Sequence, residues 1–382
     1  MSENTNLGVI IHVYTTKERH NHIEVIAMRI LHTSDLHLRT DTFERWEALE
    51  LIVDKAKDNS VDVLVICGDL FDSKEDAIKS YERLRKIFSE APFQTLILPG
   101  NHDETFYEDG LYLGNNVTII SSENNVFELS DARIIAVPFK KECSSSKETV
   151  KVIHEANTHT SHTKPNILLF HGELIAPFYE PDDFGERGRY MPIDLNIFKS
   201  LNFQYILAGH FHTKLSILKT SDKFFIYSGS PVSITKKERG KRKVDLLEVG
   251  KEPEELEIES FYYEELEIRL GIFDEENPVD KFIEKLKSLN IPANCSPIFK
   301  VTGHFDGAKY NLSESELNYK LQVLAKNFNP KSGVEFLAKD LGRLSNNTIF
   351  EEILKKVGKI NDEELDEEGK RQLIEIFINA MM

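Results

Sequence analysis

The stretch Val61-Asp62-Val63-Leu64-Val65-Ile66-Cys67-Gly68-Asp69-Leu70-Phe71-Asp72 is an apolar run of strand length that stops at a glycine, with an aspartate directly behind it. β-Branched residues fill both faces of a buried parallel strand, and a glycine lets the backbone turn sharply. Together they deliver a carboxylate to the edge of a sheet. Four more apolar runs end alike. Arg29-Ile30-Leu31 leads into Asp35-Leu36-His37, and Gln94 to Leu98 leads into Gly100-Asn101-His102-Asp103. Ile167 to Phe170 leads into His171-Gly172-Glu173, and Tyr205 to Ala208 into Gly209-His210-Phe211-His212. Asp69 is the residue expected at their centre.

Five of the thirteen histidines lie in these motifs, beside Asp35, Asp69 and Asn101. Histidines scattered for packing seldom all follow strands, so the pattern reads as a metal site. Carboxylate, imidazole and amide ligands together suit borderline divalent ions such as manganese, iron or zinc better than calcium. Two such ions about 3.5–4 Å apart grip a phosphate, with a bridging carboxylate between them. Charge favours this mixture, because neutral Asn and His ligands leave room for the charge of a phosphodiester, whereas more carboxylates would repel it.

The chain has 382 residues, enough for one large domain and smaller ones. No stretch approaches ~20 uncharged apolar residues, so no membrane span is expected. The first residues lack the basic-then-apolar pattern of a secretory signal. Cys67, Cys143 and Cys295 are widely spaced, which fits a reducing cytoplasm and neither a disulfide framework nor a thiolate site. A net charge of −17 argues against a protein that simply coats nucleic acid. Residues 251–382 carry 17 Lys/Arg against 27 Asp/Glu, so most of that excess lies in the last third. Bound ions would also reverse the local field of any ligand carboxylates.

Residues 1–27 are polar, with His12, His20, His22 and one apolar run, Val9-Ile10-Ile11. They read as an extension, with Met28 the expected natural start. From Met28 to about residue 262, strands and helices alternate as in a layered α/β domain. Phe43 to Lys57 has a helical apolar face, and Ser73 is placed to cap a second helix bearing Ile78, Tyr81, Leu84, Ile87 and Phe88. Short strands follow at Val117–Ile120, Val126–Leu129 and Arg133–Val137, then a surface helix over Glu148–Thr158. Lys214–Leu218, Phe224–Tyr227 and Val244–Glu248 read as antiparallel strands. The last two flank the basic run Lys236, Lys237, Arg239, Lys241, Arg242 and Lys243, readable as a solvated hairpin or as a loop contacting phosphates. A second, small α/β unit is expected over 263–343: strand Leu266–Leu270, helix Val279–Leu289, strand Ile298–Thr302, helix Glu314–Asn327 and strand Val334–Leu337. Two amphipathic helices over 344–382 finish the chain, the last presenting Leu373, Ile376, Phe377 and Ala380.

The five motifs resemble those of the calcineurin-like metallophosphoesterases. Within them, Leu31-His32-Thr33-Ser34-Asp35-Leu36-His37-Leu38, Gly68–Asp72 and Tyr227-Ser228-Gly229-Ser230-Pro231, with a small α/β unit after the catalytic domain, resemble the SbcD-type DNA-repair nucleases. The resemblance implies a four-layer sandwich, two mixed sheets flanked by helices, followed by a DNA-capping domain. It implies two divalent ions, with manganese preferred: one on Asp35, His37, Asp69 and His212, the other on Asp69, Asn101, His171 and His210. His102 matches the position that contacts phosphate or protonates the leaving oxygen, with Asp103 expected to orient it. Several family members have His where this chain has Asp72, a position implicated in assisting that histidine.

The resulting expectation is a cytoplasmic DNA nuclease of double-strand-break repair and recombination, acting as a 3′→5′ exonuclease and structure-dependent endonuclease. The family further implies a homodimer built from residues 73–91 and 104–113, with Tyr81, Leu111 or Tyr112 at its interface. It also implies a coiled-coil ATPase of the SbcC type docking on the C-terminal helices. Two other readings compete: a metallophosphoesterase for nucleotides or phosphoproteins, and a DNA-end-binding scaffold with little catalysis.

Overall fold

The computed structural model describes residues 27–103, 106–107, 112–175, 190–213, 215–271, 274–342, 348–361 and 365–381. The expected extension up to residue 26, with its three histidines, lies outside these residues, as do Leu111 and Lys214. The chain divides into two units, residues 1–262 and 263–382.

The first unit opens with β1 (Arg29–Thr33), α1 (Phe43–Asp58), β2 (Val63–Cys67), α2 (Lys74–Ser89), β3 (Gln94–Leu98) and β4 (Val117–Ile119). There follow β5 (Val126–Glu128), β6 (Arg133–Val137), α3 (Ser146–Asn157), β7 (Asn166–His171), and the short pair β8 (Leu174–Ile175) and β9 (Ile193–Asp194). It closes with β10 (Tyr205–Gly209), β11 (Ser216–Thr220), β12 (Lys223–Tyr227), β13 (Arg242–Glu248) and β14 (Glu254–Ile258). Two six-stranded mixed sheets result, ordered β14-β13-β1-β2-β3-β4 and β11-β12-β10-β7-β6-β5. Ile30, Val65, Leu96 and Leu98 of the first sheet meet Ile134, Leu169, Leu207 and Ile226 of the second in one buried layer. Trp46, Leu49, Ile52, Leu84 and Phe88 from α1 and α2 cover the outer face of the first sheet. Ile153 and Ala156 of α3, with Phe198, cover that of the second. The layers therefore run helix, sheet, sheet, helix.

Continuous burial of β2 explains why its sequence is unbroken by polar residues: all five side chains are enclosed between helices on one side and the second sheet on the other. Ser73 caps α2 by accepting from the Asp76 N–H. Within α2, Ala77, Leu84 and Phe88 turn inward, whereas Ile78 is exposed. Tyr81 packs partly inward and donates its hydroxyl to the Tyr112 carbonyl; Tyr112 itself is exposed.

Of the two readings of the basic run between Phe224–Tyr227 and Val244–Glu248, the hairpin does not hold. β12 pairs antiparallel with β11 in the second sheet, while β13 crosses to the first and pairs with β1 and β14. Opposite each other in the β1–β13 register stand His32 and Asp245, both fully buried, with Nδ1 and Oδ1 2.7 Å apart. Burial alone lowers an imidazole, but Asp245, helped by Cys67, raises His32 to about 10, so this is an ion pair at neutral pH.

The second unit contains β15 (Tyr262–Leu270), α4 (Pro278–Ser288), β16 (Cys295–Phe305), the single turn α5 (Gly307–Tyr310), α6 (Glu314–Phe328), β17 (Gly333–Phe336) and β18 (Lys339–Asp340). α7 (Thr348–Val357) and α8 (Glu367–Met381) end it. The sheet runs β15-β16-β17, and Phe282, Phe299, Val301, Leu317 and Leu321 form its core. Ser313 and Glu316 form a capping box on α6. Of the stripe expected on the last helix, Leu373 packs partly against Leu341, Phe350 and Val357, beside the fully buried Ile374 and Ile378, while Ile376 (64% exposed), Phe377 and Ala380 lie at the surface. Among the described residues, no helix is long and apolar enough to cross a membrane.

Candidate metal centre

β1, β2 and β3 run parallel in the first sheet, β7 and β10 in the second, and the segments beyond their carboxyl ends meet. Past the strand ends the backbones stay tied: Asp35 N–H donates to Gly68 O (3.0 Å), His37 N–H to Asp69 O (2.9 Å) and Leu38 N–H to Leu70 O (2.8 Å). Asp35, His37 and Asp69 take left-handed φ values of 54°, 46° and 51°, and His210 takes 113°. Side-chain-bearing residues in such regions cost about 1–3 kcal/mol each, a strain that collects where function fixes the geometry.

Two sets of acceptor atoms result. In one, His37 Nε2 and His212 Nε2 are 3.0 Å apart, with Asp35 Oδ1 4.0 Å from His212 and Asp69 Oδ2 3.7 Å from His37. In the other, His171 Nε2 lies 2.9 Å from Asn101 Oδ1 and 3.4 Å from Asp69 Oδ2, and His210 Nδ1 lies 3.2 Å from Asn101 Oδ1. Asp69 Oδ2 belongs to both sets. Its other oxygen accepts from the His102 N–H at 2.9 Å.

Neighbours outside each set fix which ring nitrogen faces in. His171 Nδ1 is 2.9 Å from the Cys67 carbonyl, which only accepts, so Nδ1 carries the proton and Nε2 points its lone pair inward. His37 Nδ1 is 3.2 Å from Asp72 Oδ1, and His212 Nδ1 is 3.6 Å from Glu238 Oε1. Imidazole nitrogens and carboxylate oxygens thus converge, and once the rings have given up their protons this is the donor set a divalent cation satisfies. Asp35 receives the His210 N–H at 3.0 Å and the Ser34 hydroxyl, which also meets Ser228 Oγ at 2.7 Å.

The electrostatics agree. Burial alone raises a carboxyl, but His171, His37 and His102 hold Asp69 far below the usual range. Burial would lower His171 and His37. The carboxylates outweigh it, lifting His171 to about 9 chiefly through Asp69, and raising His37 through Asp72 and Asp69. Burial and the neighbouring His171 push His210 down to about 3. A raised group holds its proton below its own pKa, and a ligand nitrogen must lose it, so affinity for Mn²⁺ should rise with pH up to about 9. Calorimetry at pH 7 in two buffers of different ionisation heat should record about one to two protons released on loading. Release of none would remove His171 and His37 from the ligand sets.

Two expected roles change. Asp103 does not reach His102: its carboxylate accepts from the N–H groups of Leu70 (2.8 Å), Phe71 (3.4 Å) and Gly100 (2.7 Å) and from the Tyr107 hydroxyl (2.9 Å). It braces the β2 and β3 loops against each other. Asp72 braces His37, and a ligand atom each of His37, Asp72 and His102 lies within 4.8 Å of the others; the exposed His102 ring stands edge-on to His37. Arg242 is no phosphate contact: its guanidinium is buried, donating to Ser230 O (2.8 Å), His212 O (2.6 Å) and Thr213 O (3.1 Å). Lys241 and Lys243 pair with Glu257 and Glu255 of β14, Lys236 and Lys237 are exposed, and Arg239 donates to the Lys236 carbonyl. Glu238 is the residue that sequence reasoning passed over. A single acid inside a basic run was the available signal.

Residues 28–214 match the calcineurin-like phosphoesterase family. That match supports a calcineurin-like metallophosphoesterase domain within the first unit, of a class of hydrolase that uses divalent metals, and the unit carries candidate ligand groups for them. Among solved structures, a Thermus thermophilus protein is 17% identical at a TM-score of 0.40, covering 60% of this chain and 99% of its own. The Plasmodium inner-membrane-complex anchor GAP50 is 15% identical at 0.39, covering 61% and 89%. A dimetal phosphatase from Danio rerio is 10% identical at 0.43, covering 61% and 96%. Likenesses this distant say nothing of substrate.

Proposed function

We propose that this chain is a metal-dependent DNA nuclease of the SbcD type, cleaving phosphodiesters with two divalent ions, manganese preferred. The observation that carries the reading is the sharing of Asp69 Oδ2 between two ligand sets. The nuclease motifs around Asp35, Asp69 and Ser228, and the small α/β unit after the domain, favour DNA over other diesters. When bound, the ions supply Lewis-acid polarisation of the phosphoryl oxygens. Asp69 supplies the charge between them, and Asp72 and Glu238 keep the His37 and His212 lone pairs turned inward. His102 presents an exposed ring beside His37, placed to give a proton to the leaving oxygen. A homodimer through α2 and an ATPase partner on the C-terminal helices belong to the same reading.

One observation favours a second reading, a phosphodiesterase for small substrates. Arg242 is buried and Lys241 and Lys243 are paired with glutamates, so the basic run offers a polymer backbone fewer cations than its sequence promised. The test is purified full-length chain with Mn²⁺, Mg²⁺ or chelator on blunt, recessed and hairpin DNA, beside a nitrophenyl diester. Mn²⁺-dependent DNA cleavage that chelator abolishes is expected. Turnover of the diester alone would replace the nuclease reading with the second one.

A further inference from the structure

The loop between β12 and β13, with the first residue of β13, holds two buried charged residues that the hydrolytic motifs do not include. Glu238 accepts from the N–H groups of Ile234 (2.8 Å) and Thr235 (3.2 Å), the Thr235 hydroxyl (3.1 Å) and the Ser230 hydroxyl (3.0 Å), and its Oε1 lies 3.6 Å from His212 Nδ1. So many donors lock the carboxylate in one place, and burial excludes competing water. Arg242 grips the other end of the same residue through the His212 carbonyl, and it also ties down Ser230 through both its carbonyl and its hydroxyl. Burial weakens the charged form of Glu238, but His212, the Ile234 N–H and Arg242 hold the carboxyl below its ordinary range.

We propose that Glu238 is a positioning residue for the metal centre, fixing the His212 ring and its tautomer so that Nε2 faces the ion, with Arg242 fixing the backbone beneath it. A carboxylate at one imidazole nitrogen holds the proton there and raises the basicity of the other. Nothing here requires Glu238 to touch an ion or a substrate. The inference rests on His212 being a metal ligand and not on the substrate being DNA.

The experiment titrates Mn²⁺ into the full chain by calorimetry, with melting in chelator as a separate measure of the fold. Glu238→Gln keeps the size and most acceptor contacts but removes the charge. It should lower affinity for one ion by about 10–100-fold, leave the other unchanged, and melt near the wild type. In a His212→Ala background the same change should do nothing more, because the ring it acts through is gone. Wild-type affinity for both ions in Glu238→Gln would overturn the proposal. So would equal loss of both ions, or a further loss in the double variant, since either marks a general structural role. Should Glu238→Gln fail to fold, Glu238→Asp decides, because its carboxylate keeps the charge but withdraws from Nδ1. The same selective loss supports the proposal, and full affinity for both ions overturns it. A wild type that binds metal yet cleaves no DNA would reject the nuclease reading and leave this one standing; a wild type that binds no metal would end both.

Discussion

Asp69→Asn is expected to abolish hydrolysis of any substrate while leaving the first unit folded. The Asp69 side chain is 1% exposed, and one oxygen faces His171 Nε2 at 3.4 Å and His37 Nε2 at 3.7 Å. Burial opposes ionisation, but His171, His37 and His102 hold the carboxyl below its ordinary range, so the charge is present at neutral pH. Asparagine keeps the shape and can still accept the His102 N–H through its carbonyl, but it removes the one negative charge common to both ligand sets. Metal content, measured by emission spectroscopy on the purified variant, should fall from about two ions toward one or none. Full occupancy with a normal rate would show that Asp69 does not bridge.

The second large effect is steric. A Cβ at Gly209 would sit 1.9 Å from the Cys67 carbonyl oxygen, 2.7 Å from Ser34 Cβ and 2.9 Å from His171 Nδ1. The Cys67 carbonyl belongs to a buried central strand and has no room to withdraw; moving it would also break its contact with His171. Overpacking of a rigid core costs 1–3 kcal/mol and sometimes more, and backbone pressed on backbone belongs at the upper end, about 3 kcal/mol. Gly209→Ala should therefore melt about 6–12 °C lower in chelator. Gly250→Ala is the comparator: its Cβ would meet nothing within 4 Å, although its φ of +92° still strains a side chain. Its loss should be about 1 kcal/mol. Equal melting of Gly209→Ala and wild type would mean that the two sheets can slide apart at this point.

The motif strands were legible because a strand enclosed on both faces leaves an unbroken apolar run, as in Val63–Cys67, and because each run stops at a glycine or a polar residue. What was hidden depends on contacts far apart in sequence. Nothing in Lys241-Arg242-Lys243 says that the middle residue is swallowed while its neighbours reach Glu257 and Glu255. Strand alternation across β13 permits that outcome, but it takes the carbonyls of Ser230, His212 and Thr213, brought up from distant loops, to hold Arg242 inside. Asp103 looked like a partner for the adjacent histidine; in space its donors are Gly100 of its own loop and Leu70 of the neighbouring one. On α8, apolar residues occupy Leu373, Ile374, Ile376, Phe377 and Ile378, a band a little over half-way round the helix. Periodicity alone could not choose the inward face, and packing against α7 chose Ile374 and Ile378.

The pairing of β1 with β13 bears on how the chain acquires its shape. His32 and Asp245 are 213 residues apart in sequence yet opposite each other in the sheet. Nascent β1, β2 and β3 can associate early, since short parallel crossovers join them, but β1 keeps an open edge until residues 242–248 have been synthesised. Closing so long a loop is a late and slow event. During that interval His32 lacks the carboxylate that holds its proton, and burial alone would favour the neutral ring. Slippage by one residue would turn Asp245 to the opposite face and leave both charges unmatched. The ion pair therefore acts as a proofreader of assembly: it rewards only the alignment in which the last strands to emerge lock onto the first.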